Sequence, residues 1–413
     1  MNTPTRFARW LSTGNSITQQ FLALGDRPEV ISLAGGLPAA ELYPLEEIRA
    51  ATDRALTRWG TAILEYGPVE GLPALREAIA ARLRAQTGCR FGAENVLLTT
   101  GAMQGLDLVG KTLLERGERV LAQCPAYLGA LDAWRPWQPA YEKLDWSEAS
   151  VETGPALRRA KFAYVVPNYS NPTGVLVPRS QRLALLEKVQ ETGTWLLEDD
   201  PYHCLRFEGD PQPDILSLAA ADGGRAYSAP VIYLGTFSKS IAPGLRVGWA
   251  VGSVPAIRQL ALAKQSTDMC SSLLTQAVVL ELVERNFDVE HAARIVPIYR
   301  ERRDALCSEA AQQLGEWFDW ERPPGGMFVW LRAKDPGIDT DVLYEYARRE
   351  NVAFVPGSVF DPFGRDRSAM RLNFTRSAPE VIREGVRRLA AAMHAYRDTV
   401  RSVNRGARAG VGA

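Results

Sequence analysis

The chain has 413 residues, 46% of them hydrophobic and 23% charged, which is enough for two globular domains. Its 48 acidic and 48 basic residues cancel, so bulk charge does not point to a basic face for nucleic acid. The three histidines (His203, His291, His394) and the five cysteines fall in no ligand spacing and include no C-x-x-C, which excludes the common metal sites and a disulfide framework. In chain order, residues 28–40 (PEVISLAGGLPAA) are expected to link an N-terminal helix to the core. Apolar runs then mark strands at Val96–Thr100, Arg119–Gln123, Phe162–Pro167, Thr194–Glu198, Val231–Gly235 and Arg246–Val251, with helical patterns such as Gly105–Leu114 and Arg179–Glu191 between them. Strands that are apolar throughout and spaced by helices predict an α/β architecture with a mostly parallel sheet covered on both faces. After a long helical stretch near residues 275–315, strands at Met327–Leu331, Val352–Val355 and Met370–Phe374 read as a smaller α+β domain. The expected division is an N-terminal arm and part of the small domain over 1–45, a large domain over 46–287, the small domain over 288–400 and a disordered tail over 401–413. No apolar run nears the ~18 residues that span a bilayer, and MNTPTRFARWLSTGNSITQQ lacks the apolar stretch of a signal peptide. A soluble, cytoplasmic protein that binds neither membrane nor nucleic acid is the expectation.

Open parallel sheets bind ligands beyond the carboxyl ends of their strands. The segments that follow the predicted strands are TTGAMQ, QCPAY, PNYSNPTG, EDDPYH and GTFSKS, all rich in polar, glycine or aromatic residues. Lys239 stands out among the lysines because it follows the apolar run VIYLG and precedes another strand. A lysine there points into the crevice, where desolvation beside other cations lowers its pKa and makes the amine nucleophilic. Its bland alternative is a phosphate-binding or surface lysine.

The neighbouring loops fit a pyridoxal cofactor, which acts as an electron sink when a carboxylate keeps its ring nitrogen protonated. Asp199, at the end of TWLLED, is placed for that role, against a plain alternative as a turn or salt-bridge aspartate. Asn171, in Y-S-N-P-T-G, and Tyr202, in D-D-P-Y, suit the phenolic oxygen, although N-P-T-G alone is an ordinary turn. Tyr127, in C-P-A-Y, suits stacking on a ring or simple half-burial. Gly101-Ala102-Met103 opens a helix whose backbone amides suit a phosphate, and Thr236, Ser238 and Arg246 flank Lys239 as further donors. Arg371, in A-M-R-L-N-F, presents a planar fork on a strand, suited to an α-carboxylate; an exposed strand-edge arginine is the alternative.

These runs resemble the fold-type I, class I/II pyridoxal-phosphate aminotransferases, and most of all the branch with the 2-aminoadipate and kynurenine aminotransferases. The matching runs are SLAGGLP at 32–38, LEYGPVEGL at 64–72, TTGAMQGLDL at 99–108, PAYLGAL at 125–131, VPNYSNPTG at 166–174, LEDDPY at 197–202, TFSKSIAPGLR at 236–246, PPGGMFVW at 323–330 and MRLNF at 370–374. Any one is weak; nine in order across nearly the whole chain are specific. The resemblance implies an enzyme that moves the α-amino group of a 2-aminoadipate, aromatic or aliphatic amino acid to a 2-oxo acid such as 2-oxoglutarate. It implies a Schiff base at Lys239, Asp199 on the pyridine nitrogen, Asn171 and Tyr202 on the phenolic oxygen, and Tyr127 stacked on the ring. It further implies Arg371 on the substrate carboxylate, Gly36 and Leu37 over the substrate, and Tyr66 reaching the cofactor phosphate of a second subunit in a homodimer. Two departures stand out. Ala102-Met103 replaces a Ser-Gln pair that the family often carries, so side-chain donors are lost. Gln19 falls where the aminoadipate branch places an arginine that reads the distal carboxylate, which leaves aromatic and aliphatic donors open.

Three other readings compete. Gly105–Thr112 (GLDLVGKT) matches the spacing of a phosphate-binding loop, but its middle is apolar and Leu106, Val109, Leu113 and Leu114 keep helical spacing straight through it. A ligand-sensing regulator of the same fold would carry a DNA-binding domain before a core that here begins near Ile31. A lyase, racemase or decarboxylase would use the same Lys239, Asp199 and Asn171; Arg371 favours transamination.

Overall fold

A computed structural model describes residues 7–8, 10–11, 27, 29–144, 153–220 and 225–409. Strands are numbered in chain order: β1 Ile31–Ser32, β2 Val96–Thr99, β3 Arg119–Gln123, β4 Ala140–Leu144, β5 Phe162–Val165, β6 Trp195–Asp199, β7 Val231–Thr236, β8 Gly248–Val251, β9 Phe318–Asp319, β10 Phe328–Ala333, β11 Val352–Ala353, β12 Val355–Pro356 and β13 Ala369–Asn373. Seven of them form the main sheet in the order β2-β8-β7-β6-β5-β3-β4, with only β8 running against its neighbours. A strand buried on both faces needs apolar residues at every position, and the residues divide by parity. Leu97, Val120, Ala122, Phe162, Tyr164, Leu197, Ile232 and Leu234 join the core that also holds Phe328, Val329, Leu331, Met370 and Leu372 of β10 and β13. Val96, Leu98, Leu121, Ala163, Val165, Leu196, Val231 and Tyr233 join the core beneath the helices Pro73–Thr87, Arg179–Thr192 and Leu273–Val283. The predicted mostly parallel, helix-covered sheet is therefore present, and this is a fold-type I architecture.

Several boundaries differ from expectation. Strand β4 is missing from the sequence reading because AYEKL lies at the sheet edge, where one face meets water and polar residues are tolerated. The strand expected from Arg246 begins at Gly248, since Arg246 closes the turn Pro243–Leu245 in the left-handed region at φ 54°. The run expected at Val352–Val355 splits. Val352–Ala353 pairs with β1 in a two-stranded parallel sheet, whereas Val355–Pro356 pairs with β13 in the antiparallel sheet β12-β13-β10-β9. The last helix runs from Pro379 to Ala409, into the segment from residue 401 expected to be a disordered tail; residues 410–413 lie outside the described residues, as does most of the expected N-terminal helix. Helical spacing correctly overrode the phosphate-loop spacing: Gly105–Thr112 sits inside the helix Ala102–Leu113. Its glycines serve packing, because a Cβ would fall 2.8 Å from Leu234 at Gly105 and 2.6 Å from Trp134 at Gly110.

The described cysteines are all free. No helix among the described residues is long and apolar enough to cross a membrane, and no cluster of three metal-ligating side chains occurs among them.

Candidate active site

The carboxyl ends of β2, β3, β5, β6 and β7 share one edge of the sheet, and the loops expected to carry chemistry leave from it. Lys239 lies just past β7, and its Nζ donates to the Gly36 carbonyl at 2.9 Å. Burial, with Arg371 and Arg246 nearby, pulls its amine down from the ordinary lysine value to about 8. Gly36 thus lies against the lysine, while the carbonyl of the adjacent Leu37 accepts from the Thr375 hydroxyl at 2.9 Å.

Asp199 ends β6 with its carboxyl buried. Oδ2 accepts the Tyr164 hydroxyl at 2.9 Å, while Oδ1 has no donor. Burial pushes this carboxyl up to about 7; the Tyr164 hydrogen bond opposes the rise and the charge of Asp200 adds to it. A buried carboxylate oxygen without a partner costs free energy comparable to a lost hydrogen bond, on the order of 1–3 kcal/mol, so the site is built to receive a donor.

Arg371 lies on β13, between β10 and β12, and is buried rather than at a strand edge. Its Nη1 donates to Asn171 Oδ1 at 2.7 Å and its Nη2 to the Ala34 carbonyl at 2.5 Å, whereas its Nε has no acceptor. The guanidinium sits between the rings of Phe328 and Phe360, 4.3 and 4.9 Å from their centroids. Burial lowers its pKa to about 10, which still leaves it charged at neutral pH. Asn171 also hydrogen-bonds the Tyr202 hydroxyl, and burial raises the pKa of that phenol. Tyr127 caps the helix Leu128–Trp134; its hydroxyl meets Met103 Sδ at 3.6 Å, and burial pushes it up to about 12.

The phosphate turn expected at Gly101-Ala102-Met103 is a true strand-to-helix turn. Gly101 has φ 73° and a Cβ there would fall 2.4 Å from Arg246 Nη2, so only glycine fits. Arg246 Nη2 also donates to the Thr100 carbonyl at 3.2 Å. Thr236 Oγ1 donates to Ser238 Oγ at 2.9 Å, on the adjoining loop. Lys239, Asp199, Tyr127, Asn171, Tyr202 and Arg371 therefore converge, with Gly101, Ala102, Met103, Thr236, Ser238 and Arg246 at one end of the crevice. Tyr66 stands apart at 84% exposure, and Gln19 lies outside the described residues.

Sequence reasoning missed the supports of this cluster. Tyr164 shares strand parity with Phe162 on the Asp199 face, a readable signal, but its hydrogen bond depends on the register between β5 and β6. Gln104 fixes the phosphate turn through Thr100 N at 2.8 Å and Asp268 at 2.7 Å, while the buried Lys264 holds Asp268 at 2.8 Å. Gln104 and Asp268 lie 164 residues apart in sequence, beyond any local pattern.

The chain matches the family described as aminotransferase class I and II over residues 28–389. It belongs to that family. It is 38% identical over 387 residues to the 2-aminoadipate transaminase of Thermus thermophilus, covering 92% of this chain and 94% of the relative. It is 35% identical to aromatic-amino-acid aminotransferase 1 of Thermococcus litoralis, covering 90% of each. Its fold superposes on the α-aminoadipate aminotransferase of Thermus thermophilus, solved with N-(5'-phosphopyridoxyl)-L-leucine, with a TM-score of 0.84 at 36% identity and coverage of 94% of this chain and 97% of that one. The aminotransferase is thus an enzyme of the transaminase class, and pyridoxal phosphate is its cofactor.

Proposed function

We propose that this aminotransferase moves the α-amino group of an aromatic, aliphatic or 2-aminoadipate donor to a 2-oxo acid, 2-oxoglutarate being the expected acceptor. The observation that carries the reading is the buried Arg371, whose Nε lacks an acceptor, facing the same crevice as Lys239 and the unpartnered oxygen of Asp199. The relatives named for 2-aminoadipate and aromatic amino acids support the donor classes.

The residues fit the cofactor. Asp199 Oδ1 lacks a donor that a protonated ring nitrogen supplies. Asn171 and Tyr202 would hold the phenolic oxygen, Tyr127 would cover the ring, and the amides of Gly101, Ala102 and Met103 with Thr236, Ser238 and Arg246 would hold the phosphate. When bound, pyridoxal phosphate supplies an electron sink for bonds at the substrate Cα. Lys239, with its amine near 8, is neutral often enough at physiological pH to hold the cofactor's aldehyde carbon and, once freed by substrate, to move the Cα proton. Arg371 would take the α-carboxylate while Phe328 and Phe360 fix its plane and keep water from it. Gly36 and Leu37 would close over the substrate.

The exposed Tyr66, near the exposed Leu64, supports a homodimer in which Tyr66 of the partner subunit reaches this phosphate. The free cysteines fit a reducing, cytoplasmic setting. Residues 46–287 would form the large domain and 1–45 with 288–400 the small one, as the pairing of β1 with β11 supports.

The test is a visible spectrum of the protein with pyridoxal phosphate, followed by titration of aromatic, aliphatic and 2-aminoadipate donors. A band near ~420 nm that bleaches with a donor and returns with 2-oxoglutarate is expected. Absence of the band with excess cofactor refutes the reading. Bleaching without return points to another reaction at Cα.

A further inference from the structure

Three consecutive acids, Glu198, Asp199 and Asp200, are all buried at the end of β6. The pleat divides them. Asp199 shares its face with Tyr164, Leu197 and Leu234, on the side of Lys239. Glu198 and Asp200 share the opposite face with Leu196 and Tyr233. Each buried carboxylate there needs compensation. Glu198 takes two backbone donors, Ile215 N at 2.8 Å and Leu216 N at 2.9 Å. Asp200 accepts the Tyr233 hydroxyl at 3.1 Å on Oδ2, and the same oxygen lies 3.3 Å from His203 Nδ1, which also meets the Asp200 backbone carbonyl at 3.3 Å; the Asn168 side chain is a further donor to this carboxylate.

Among the described residues, His203 is the one cation within ion-pair distance of Asp200. The buried Arg182 is directed to the Asn168 side chain at 2.6 Å and to three carbonyls, not to a carboxylate. Arg82, across the cavity of about 690 Å³ into which His203 opens, is paired with Asp288 at 2.6 Å. Asp214 also faces the cavity and caps a helix through Ser217 N at 2.6 Å, and Arg206 lines the rim. The His203 side chain keeps 49% of its surface in water, so desolvation opposes its charge only in part and solvent screens the pair; the carboxylate of Asp200 still outweighs this and lifts the imidazole to about 9. Reciprocally, Asp200 stays below its ordinary value: burial would raise it, and His203 leads the groups that overcome this. The pair is therefore ionised at neutral pH.

We propose that His203 is a positioning residue: by neutralising Asp200 on the far face of the sheet, it lets the adjacent Asp199 keep its negative charge for the ring nitrogen of the cofactor. This role rests on the aminotransferase reading above. The physical reason is distance. Two carboxylates one residue apart in a low-dielectric interior cannot both stay ionised unless one is compensated. Loss of the His203 cation leaves the Asp200 charge held only by the neutral donors Tyr233 and Asn168, which raises the proton affinity of Asp199 and draws the shared proton from the ring nitrogen towards it.

The experiment uses holoenzyme loaded with pyridoxal phosphate labelled with ¹⁵N in the ring. The ring-nitrogen chemical shift and the single-turnover rate with an amino donor are followed from pH 6 to 9 in wild type, His203→Gln, His203→Lys and the double variant His203→Gln/Asp200→Asn. His203→Gln is expected to move the ring nitrogen towards its unprotonated shift and to slow the half-reaction about tenfold, a change of about one pH unit in the balance between the two sites. His203→Lys keeps the cation and is expected to retain the wild-type shift, and Asp200→Asn in the glutamine background is expected to restore it. An unchanged shift in His203→Gln, or an unprotonated shift persisting in the double variant, overturns the proposal. If His203→Gln does not fold, His203→Lys decides: an unprotonated ring nitrogen there overturns the role. A wild-type protein that forms no visible band with pyridoxal phosphate refutes the aminotransferase reading itself, a result distinct from any of these.

Discussion

Lys239 and Arg371 are cations of the same crevice drawn from different sheets, one from a loop after β7 and the other from the middle of β13 in the four-stranded antiparallel sheet. Burial lowers both, yet with opposite consequences. The lysine falls from 10.5 to about 8 and becomes a reactive amine; the arginine falls from 12.5 to about 10 and remains a fixed charge. The same desolvation therefore yields a proton carrier from one residue type and a carboxylate anchor from the other, because the starting values differ. Their supports differ as well. Lys239 donates to a single carbonyl, that of Gly36, among the described residues. Arg371 is clamped by two aromatic rings and two acceptors.

Replacing each residue tests the contrast. Lys239→Ala should lower kcat by at least ~10³-fold, the scale of a lost general base, in steady-state transfer from an aromatic donor to 2-oxoglutarate; substantial residual turnover would remove Lys239 from its role. Arg371→Lys keeps the charge but loses the fork, and kcat/KM for the amino donor should fall by roughly 10²-fold, or about 3 kcal/mol, with much of the loss in KM; an unchanged KM would mean the carboxylate is held elsewhere.

The pH behaviour separates them further. Only neutral Lys239 attacks an aldehyde, so capture of pyridoxal phosphate by the apo-protein should accelerate about tenfold per pH unit below about 8 and level off above it. A stopped-flow absorbance profile that is flat from pH 6 to 9 would contradict the lowered lysine. The smallest effect is expected at Tyr66, which is outside both supports in its own chain. Tyr66→Phe should weaken cofactor binding only a few-fold, about 1 kcal/mol for one hydrogen bond, as measured by equilibrium spectroscopic titration; an unaltered affinity would count against its reaching a second subunit's site.

Much of this site is legible in the residues. The carboxyl-end loops, Lys239, Asp199 and the glycine turn at Gly101 follow from strand runs and short motifs, because a strand-loop-helix unit is a local pattern. The supports are less legible. Tyr164 needed the β5–β6 register, and the Phe328 and Phe360 rings against Arg371 needed residues more than 40 and more than 10 positions away in the chain to pack around it. The edge strand β4 was missed because its polar residues hide it, and the division of Val352–Pro356 between two sheets because which neighbour a strand pairs with is not written in its own residues.

What the sequence alone determined is the chemistry at the strand ends, since apolar runs, turn glycines and the isolated Lys239 are properties of contiguous residues. What only the tertiary structure decided is the charge state of that chemistry. The amine of Lys239, the unpartnered oxygen of Asp199 and the ionised pair of Asp200 with His203 are set by burial and by partners distant in the chain, and desolvation is a property of the packed molecule.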